Sequence, residues 1–274
     1  MSIKNILVHQ NDDQRSELRL GVTLDLARKH HSHLTALYVV TLPRLQGFIY
    51  SEVGKDILQL QAKRARAAAE EAHVACAERA RLAGVPFEWR IVEGDDRAIV
   101  DLHARYADLI VVGQGEGNRD HTYGVYDLAE ELVLTAGRPV LTIPYAGEFP
   151  TIGERVMVSW DGSHEATRAV HEALPLLKLA AQVVVLRINP PDSDHIAVTN
   201  ICAHLARHGV TAEARSSVAK DIEVGDALLS AIADFSVDLV VMGAYGHSRL
   251  REMVLGGATR HMLRHMTAPV VMSH

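Results

Sequence analysis

Cysteine, positive charge and long apolar runs are what this sequence has least of. Only Cys76 and Cys202 occur among 274 residues. Each stands alone in a stretch of helical character, which excludes a disulfide framework and a thiolate metal site and leaves two small buried hydrophobes. Basic residues number 28 against 34 acidic ones, a formal net charge of -6. That balance removes the basis for non-specific attraction to nucleic acid or an acidic membrane, so no nucleic-acid partner is expected. An anionic ligand would have to be held by local geometry. No run of about 18 apolar residues is present, so membrane insertion is not expected. The start, "MSIKNILVHQND", has no charged-then-apolar leader, and a cytoplasmic location is the expectation. Also missing are the nucleophile elbow G-x-S-x-G and the P-loop G-x-x-x-x-G-K-[ST].

What is present is an ordinary globular composition, 48% hydrophobic and 23% charged, arranged as a repeat. "NILVHQN" at Asn5–Asn11 lies over "VMVSWDG" with an offset of 150, and "LTALYVV" matches "VVVLRIN" at nearly that offset. Further on, "ADLIVVG" ending at Gly113 pairs with "VDLVVMG" ending at Gly243, and "RPVLTIP" pairs with "APVVMSH", both at an offset of 130. Two copies of one unit therefore fill the chain. The change of offset puts about twenty extra residues into the first copy between Thr41 and Gly84, most of them in a long helix that ends at Gly84 as a helix C-cap should. The Gly- and Pro-containing stretch "YAGEFPTIGE" marks the join, dividing the chain into residues 1–147 and 148–274.

Each unit alternates continuous Val/Ile/Leu runs with amphipathic helical stretches, which is what a parallel sheet covered on both faces requires. The expected fold is α/β: two tandem Rossmann-like, doubly wound domains, each a five-stranded parallel sheet flanked by helices. In such sheets ligands sit at the carboxyl ends of the strands, where the winding reverses. The richest segment there is "GAYGHSRLREMVLGGATRHML", following "VDLVVMG". Glycine permits close backbone approach, a loop of this kind can aim several N–H groups at one anion, and a helix N-terminus adds partial positive charge. A phosphate chain is the natural guest. Arg249, Arg251 and Arg260 lie close in sequence as candidate counter-charges.

The spacing G-x2-G-x9-G followed by a small residue, with "WDGS" after the first strand and a closing "APVVMS" strand, resembles the universal stress protein family in its tandem form. The resemblance covers essentially the whole chain. It implies a stress-response protein that binds adenine nucleotide, ATP or AMP with or without Mg2+, in the second copy, in a regulatory or protective role. By that resemblance Asp161 takes the ribose or base edge, Ser159 and Ile188 line the adenine pocket, and Met242 and Gly243 pack near the ribose. Gly246, His247, Gly256, Gly257 and Ala258 offer backbone N–H groups to phosphates. The family's Ser or Thr after the last glycine is Gly257 here, with Thr259 as its substitute. Single-unit relatives pair through their last strands, so the two copies are expected to form an internal pseudo-dimer, with a homodimer of chains as a further expectation.

The first copy fails the same test. The offset of 130 sets Glu116 opposite Gly246, Tyr126 opposite Gly256 and Asp127 opposite Gly257; the offset of 150 sets Asn11 opposite Asp161, and only Gly113 keeps its glycine. Carboxylates and a tyrosine would repel or block phosphate, so no nucleotide is expected there. Because the first loop joins equivalent strands without those glycines, a ligand is the expected reason for them in the second.

Other readings stand beside this one. Asp161-Gly162-Ser163 can simply begin a helix, and the glycine loop can be only a strand-to-helix turn. His204 and His208, like His261 and His265, are four apart, a metal-ligand spacing. Neither pair has an acidic or thiol partner at a diagnostic spacing, so no metal site is expected, and "HHSH" at His30–His33 reads as a surface connection. No catalytic residue is assigned, and at most slow ATP hydrolysis is expected. The alternatives are a slow ATP-hydrolysing or adenylyl-transfer enzyme using Asp161 and Asp221, and an interaction scaffold that binds no nucleotide.

Overall fold

The computed structural model describes residues 2–41, 52–115, 128–190, 198–246 and 257–274. The first half runs β1 (Asn5–Gln10), α1 (Ser16–His30), β2 (His33–Val40), α2 (Glu52–Ala83), β3 (Phe87–Glu93), α3 (Asp96–Ala104), β4 (Leu109–Gly113), α4 (Leu128–Thr135) and β5 (Val140–Ile143). The second runs β6 (Arg155–Ser159), α5 (His164–Leu179), β7 (Gln182–Ile188), α6 (Val198–Arg207), β8 (Ala212–Ser217), α7 (Val224–Asp234), β9 (Leu239–Gly243), α8 (Ala258–His265) and β10 (Val270–Ser273). The size surplus of the first half sits in α2, with 32 residues against 10 in α6. It begins at Glu52 and stops where Gly84 takes φ +66, a value glycine adopts without steric cost.

The ten strands form one sheet in the order β3-β2-β1-β4-β5-β10-β9-β6-β7-β8. All neighbours are parallel except β5 and β10, which pair antiparallel at the centre. Leu141 is the register partner of Val271, its own counterpart 130 residues on, so a pseudo-two-fold axis passes through that pair. The central strands are apolar on both faces because each face is covered. One layer of core side chains, including Ile6, Val8, Leu109, Val111, Val156, Val158 and Val241, packs under α1, α2, α5 and α6. The alternate residues, including Leu7, Ile110, Met157, Val240 and Met242, pack under α3, α4, α7 and α8. Both layers run through both halves without a break.

Repeat-equivalent aspartates tie the strands at their amino ends. Asp108 Oδ2 accepts from the backbone N–H of Lys4 (2.8 Å) and Asn5 (3.0 Å). Asp238 accepts from Gly153, Glu154 and Arg155 N–H groups at 2.9–3.1 Å and from the Thr151 hydroxyl at 3.1 Å. Each carboxylate satisfies strand-initial donors that lie outside the ladder. That leaves the opposite, carboxyl-end edge of the sheet to carry loops. Cys76 is buried and Cys202 half-buried, and both are free thiols; burial pushes the Cys76 thiol up to about 11.

Candidate functional site

In each half the winding reverses between the first and fourth strands, β1 and β4 or β6 and β9. Ser159 lies in register with Met242 on one side and Leu186 on the other, so the ends of β6, β7 and β9 come together, and Ile188 ends β7 on the same edge. Ser159 and Ile188 are half-buried there, and Met242 is buried. The structure thus brings Ser159, Ile188, Met242 and Gly243 to one crevice mouth. His247 and Gly256 lie outside the described residues, as do Arg249, Arg251, Glu116, Tyr126 and Asp127.

The turn after β6 is built by short polar side chains. Gly162 takes φ +80, and Asp161 Oδ1 accepts from the Ser163 backbone N–H at 2.9 Å, closing an Asx turn. Ser163 is the N-cap of α5, its Oγ accepting from Ala166 N–H at 3.1 Å. Asp161 is therefore exposed at the turn, and the capping of α5 falls to Ser163. The first turn of α5 lies directly on the end of β9: a Cβ on Gly243 would stand 2.4 Å from Ala166 N and 2.6 Å from the Glu165 carbonyl carbon. Gly243 is thus required by backbone packing, as a glycine kept in both copies of the repeat. Gly246 differs, because a Cβ there would meet the mobile end of a side chain, Glu165 Oε2 at 2.9 Å. Glu165 and Ser163, which the sequence reading did not assign to the site, border it from the helix side.

On the far flank Gly257 is the N-cap of α8 and offers no side-chain cap. Ala258 is half-buried. Thr259 is 3% exposed, and its Oγ1 accepts from the Tyr245 backbone N–H at 3.1 Å. Its hydroxyl holds the chain beside Gly246. Arg260 pairs with Glu130 at 3.1 Å. Beyond β7, Asn189 at φ +49 exchanges side-chain hydrogen bonds with the backbone of Ala219 at 2.7 and 3.2 Å, which fixes the loop after β8.

The equivalent crevice of the first half is filled from within. Arg19, on α1, is 1% exposed. Its Nε donates to the His9 carbonyl (2.7 Å), Nη1 to Asp13 (3.0 Å) and Nη2 to Asn11 (2.7 Å). Nη1 lies 2.6 Å from where a Cβ on Gly113 would be, so the guanidinium covers the end of β4. Burial draws the Arg19 pKa down and the Asp13 carboxylate works the other way. Sequence comparison of the loops missed this residue because it comes from a helix far from them.

The histidine pairs acquire neighbours. His204 and His208 have ring centroids 4.7 Å apart, and His171 of α5 stacks on His204 at 5.4 Å. His261 lies 3.1 Å from Asp226 and 3.8 Å from Glu223. Among the described residues no set of three His, Cys, Asp or Glu side chains is grouped to hold a metal ion, and no described helix is long and apolar enough to cross a membrane.

Comparison with known proteins agrees with this architecture. The model of the universal stress protein family matches twice, over residues 2–144 and 153–274. A universal stress protein of Synechocystis sp. is 27% identical over 169 residues, 60% of this chain and 57% of that relative's length. Among solved structures, a universal stress protein from Archaeoglobus fulgidus superposes with a TM-score of 0.79 at 17% identity, covering 99% of this chain and 96% of its own. A protein of unknown function from Pseudomonas aeruginosa superposes at 0.64 with 16% identity, covering 99% and 92%. At those identities the structural likeness is one of fold, and the doubled match of the family model carries the assignment. The chain belongs to the universal stress protein family, with two of the family's domains in tandem.

Proposed function

We propose that the second domain, residues 148–274, binds an adenine nucleotide, ATP or AMP, in the crevice between β6 and β9, and that the first, residues 1–147, does not. The protein then acts in the cytoplasm as a nucleotide-dependent stress-response regulator, with slow hydrolysis at most. What supports the reading is the contrast between the two crevices. The first is covered by the Arg19 guanidinium, whereas in the second Gly243 and Gly246 leave the strand ends bounded by backbone and by the first turn of α5. Ser159, Ile188 and Met242 would line the base and ribose, with Asp161 at the ribose edge. N–H groups at Gly246, His247, Gly256, Gly257 and Ala258 would face phosphates. Thr259 serves as a support through Tyr245. The Glu165 carboxylate borders Gly246, so a phosphate chain beside it needs a cation between them, and Mg2+ should strengthen ATP binding more than AMP binding.

Calorimetric titration of the full chain with ATP and AMP, with and without Mg2+, tests the reading. Binding of one nucleotide per chain is expected, and Gly246→Glu, which copies Glu116 of the first half, should abolish it. Absence of heat with both nucleotides would leave the scaffold reading instead. Steady Mg2+-dependent turnover of ATP, lost in Asp161→Asn, would favour the slow hydrolase.

A further inference from the structure

We propose that Glu130, a residue of the first half, is a positioning residue for the Tyr245–Gly246 turn of the second, and so couples the crevice between β6 and β9 to the pairing of the two halves. The coupling to ligand rests on the nucleotide reading above. Glu130 lies on α4 and is 8% exposed. A carboxylate so buried needs partners, and one of its oxygens, Oε1, finds them across the domain boundary. It accepts from the Tyr245 hydroxyl at 2.9 Å and from Arg260 Nε and Nη2, both at 3.1 Å. Tyr245 immediately precedes Gly246, and Arg260 stands in the first turn of α8, three residues beyond Gly257. Both described flanks of the glycine stretch therefore meet on one oxygen atom of the other half.

The turn needs such support. Tyr245 takes φ +58, a left-handed conformation that is unfavourable for a bulky residue and persists only where its surroundings impose it. Thr259 Oγ1 accepts from its N–H, its ring stands edge-on to His274 at 6.3 Å, and Glu130 takes its hydroxyl. Of these anchors only Glu130 comes from the first half. The pair has a further property: Glu130 and Arg260 are the same position of the repeat, 130 residues apart. They face each other across the pseudo-two-fold because α4 and α8 are themselves equivalent. Two identical units would bring like charges together there, so this contact is specific to unequal halves. Because coupling is reciprocal, a ligand that requires the Tyr245 turn strengthens the joint between the halves by the same factor that the joint strengthens the ligand.

The test compares the full chain with Glu130→Gln, Tyr245→Phe and the double variant, using ATP titration, thermal denaturation and amide exchange without nucleotide. Glu130→Gln should weaken ATP binding about fivefold or more and speed exchange at the Tyr245 amide. Tyr245→Phe, a milder change that keeps the fold, should act in the same direction, and the double variant should be no weaker than Glu130→Gln. A Glu130→Gln protein that melts earlier but binds ATP with unchanged Kd would overturn the proposal, since Glu130 would then only join the halves. If the wild-type chain binds no nucleotide, the functional reading falls by itself, and exchange decides the rest: unchanged protection at Tyr245 in Glu130→Gln overturns the positioning role, and faster exchange upholds it.

Discussion

At the scale of single residues, the glycines separate into those the fold needs and those it does not. Gly243 has backbone 2.4–2.6 Å from its missing Cβ, and Gly113 has the end of an arginine side chain at 2.6 Å. Backbone cannot yield, whereas a guanidinium can swing at the cost of its hydrogen bonds. Gly243→Ala should therefore destabilise the protein by about 3 kcal/mol, in the range of overpacking a close contact, and Gly113→Ala by less; denaturant unfolding of both variants checks the order. Much of this scale was readable beforehand. The spacing from Gly243 to Gly257 and the turn at Asp161 were visible as a pattern, because backbone demands leave short local traces. Arg19 was not, because its approach to Gly113 joins segments that only folding brings together. For the same reason, the partner that occupies Arg260 could not be inferred from its place near the glycines.

At the scale of elements, the order of strands and helices followed from apolar periodicity, but which helix faces meet did not. Spacing set His204 and His208 four apart, on α6 and in the turn just after it, and nothing in it indicated that α5 would set His171 against them. The result is an acid-sensitive contact. Desolvation draws the His204 pKa down, with His208, His171 and Arg207 adding to it, and burial does the same for His30 and His103. A histidine whose folded pKa is depressed costs nothing while it is neutral in both states. Once the pH falls below the ordinary value of about 6.5, the unfolded chain binds more protons and stability is lost. The melting temperature should therefore fall between pH 7.5 and pH 5.5, and His204→Gln should flatten part of that decline. A melting temperature that stays constant over this interval, or rises on acidification, would contradict the assignment.

At the scale of the whole molecule, the decisive feature is that the two domains share one sheet and two core layers. β5 and β10 lie at its centre, and each layer includes side chains from both halves. Neither domain can lose its last strand without exposing the other's core. The full chain should therefore unfold in a single calorimetric transition whose van't Hoff and calorimetric enthalpies agree. Separate transitions for the two halves would show the seam to be weaker than its burial implies. The tandem architecture was legible in the repeat. The continuity of the core was not, since apolar strands look alike whether their neighbours belong to the same unit or to the other.

The Glu130–Arg260 pair makes this architecture depend on the inequality of its halves. Separate identical chains meeting about a true symmetry axis cannot place glutamate on one side and arginine on the other, because every substitution appears on both at once. Opposite charges at that position require two copies whose sequences differ there, as the two halves of this chain do. The exchange then works as a ratchet: a second half released from its tether would meet another arginine where it now finds a glutamate. A first half with its own crevice covered by Arg19 is thus the fitted mate of the second, and deleting it would remove part of the second half's own architecture.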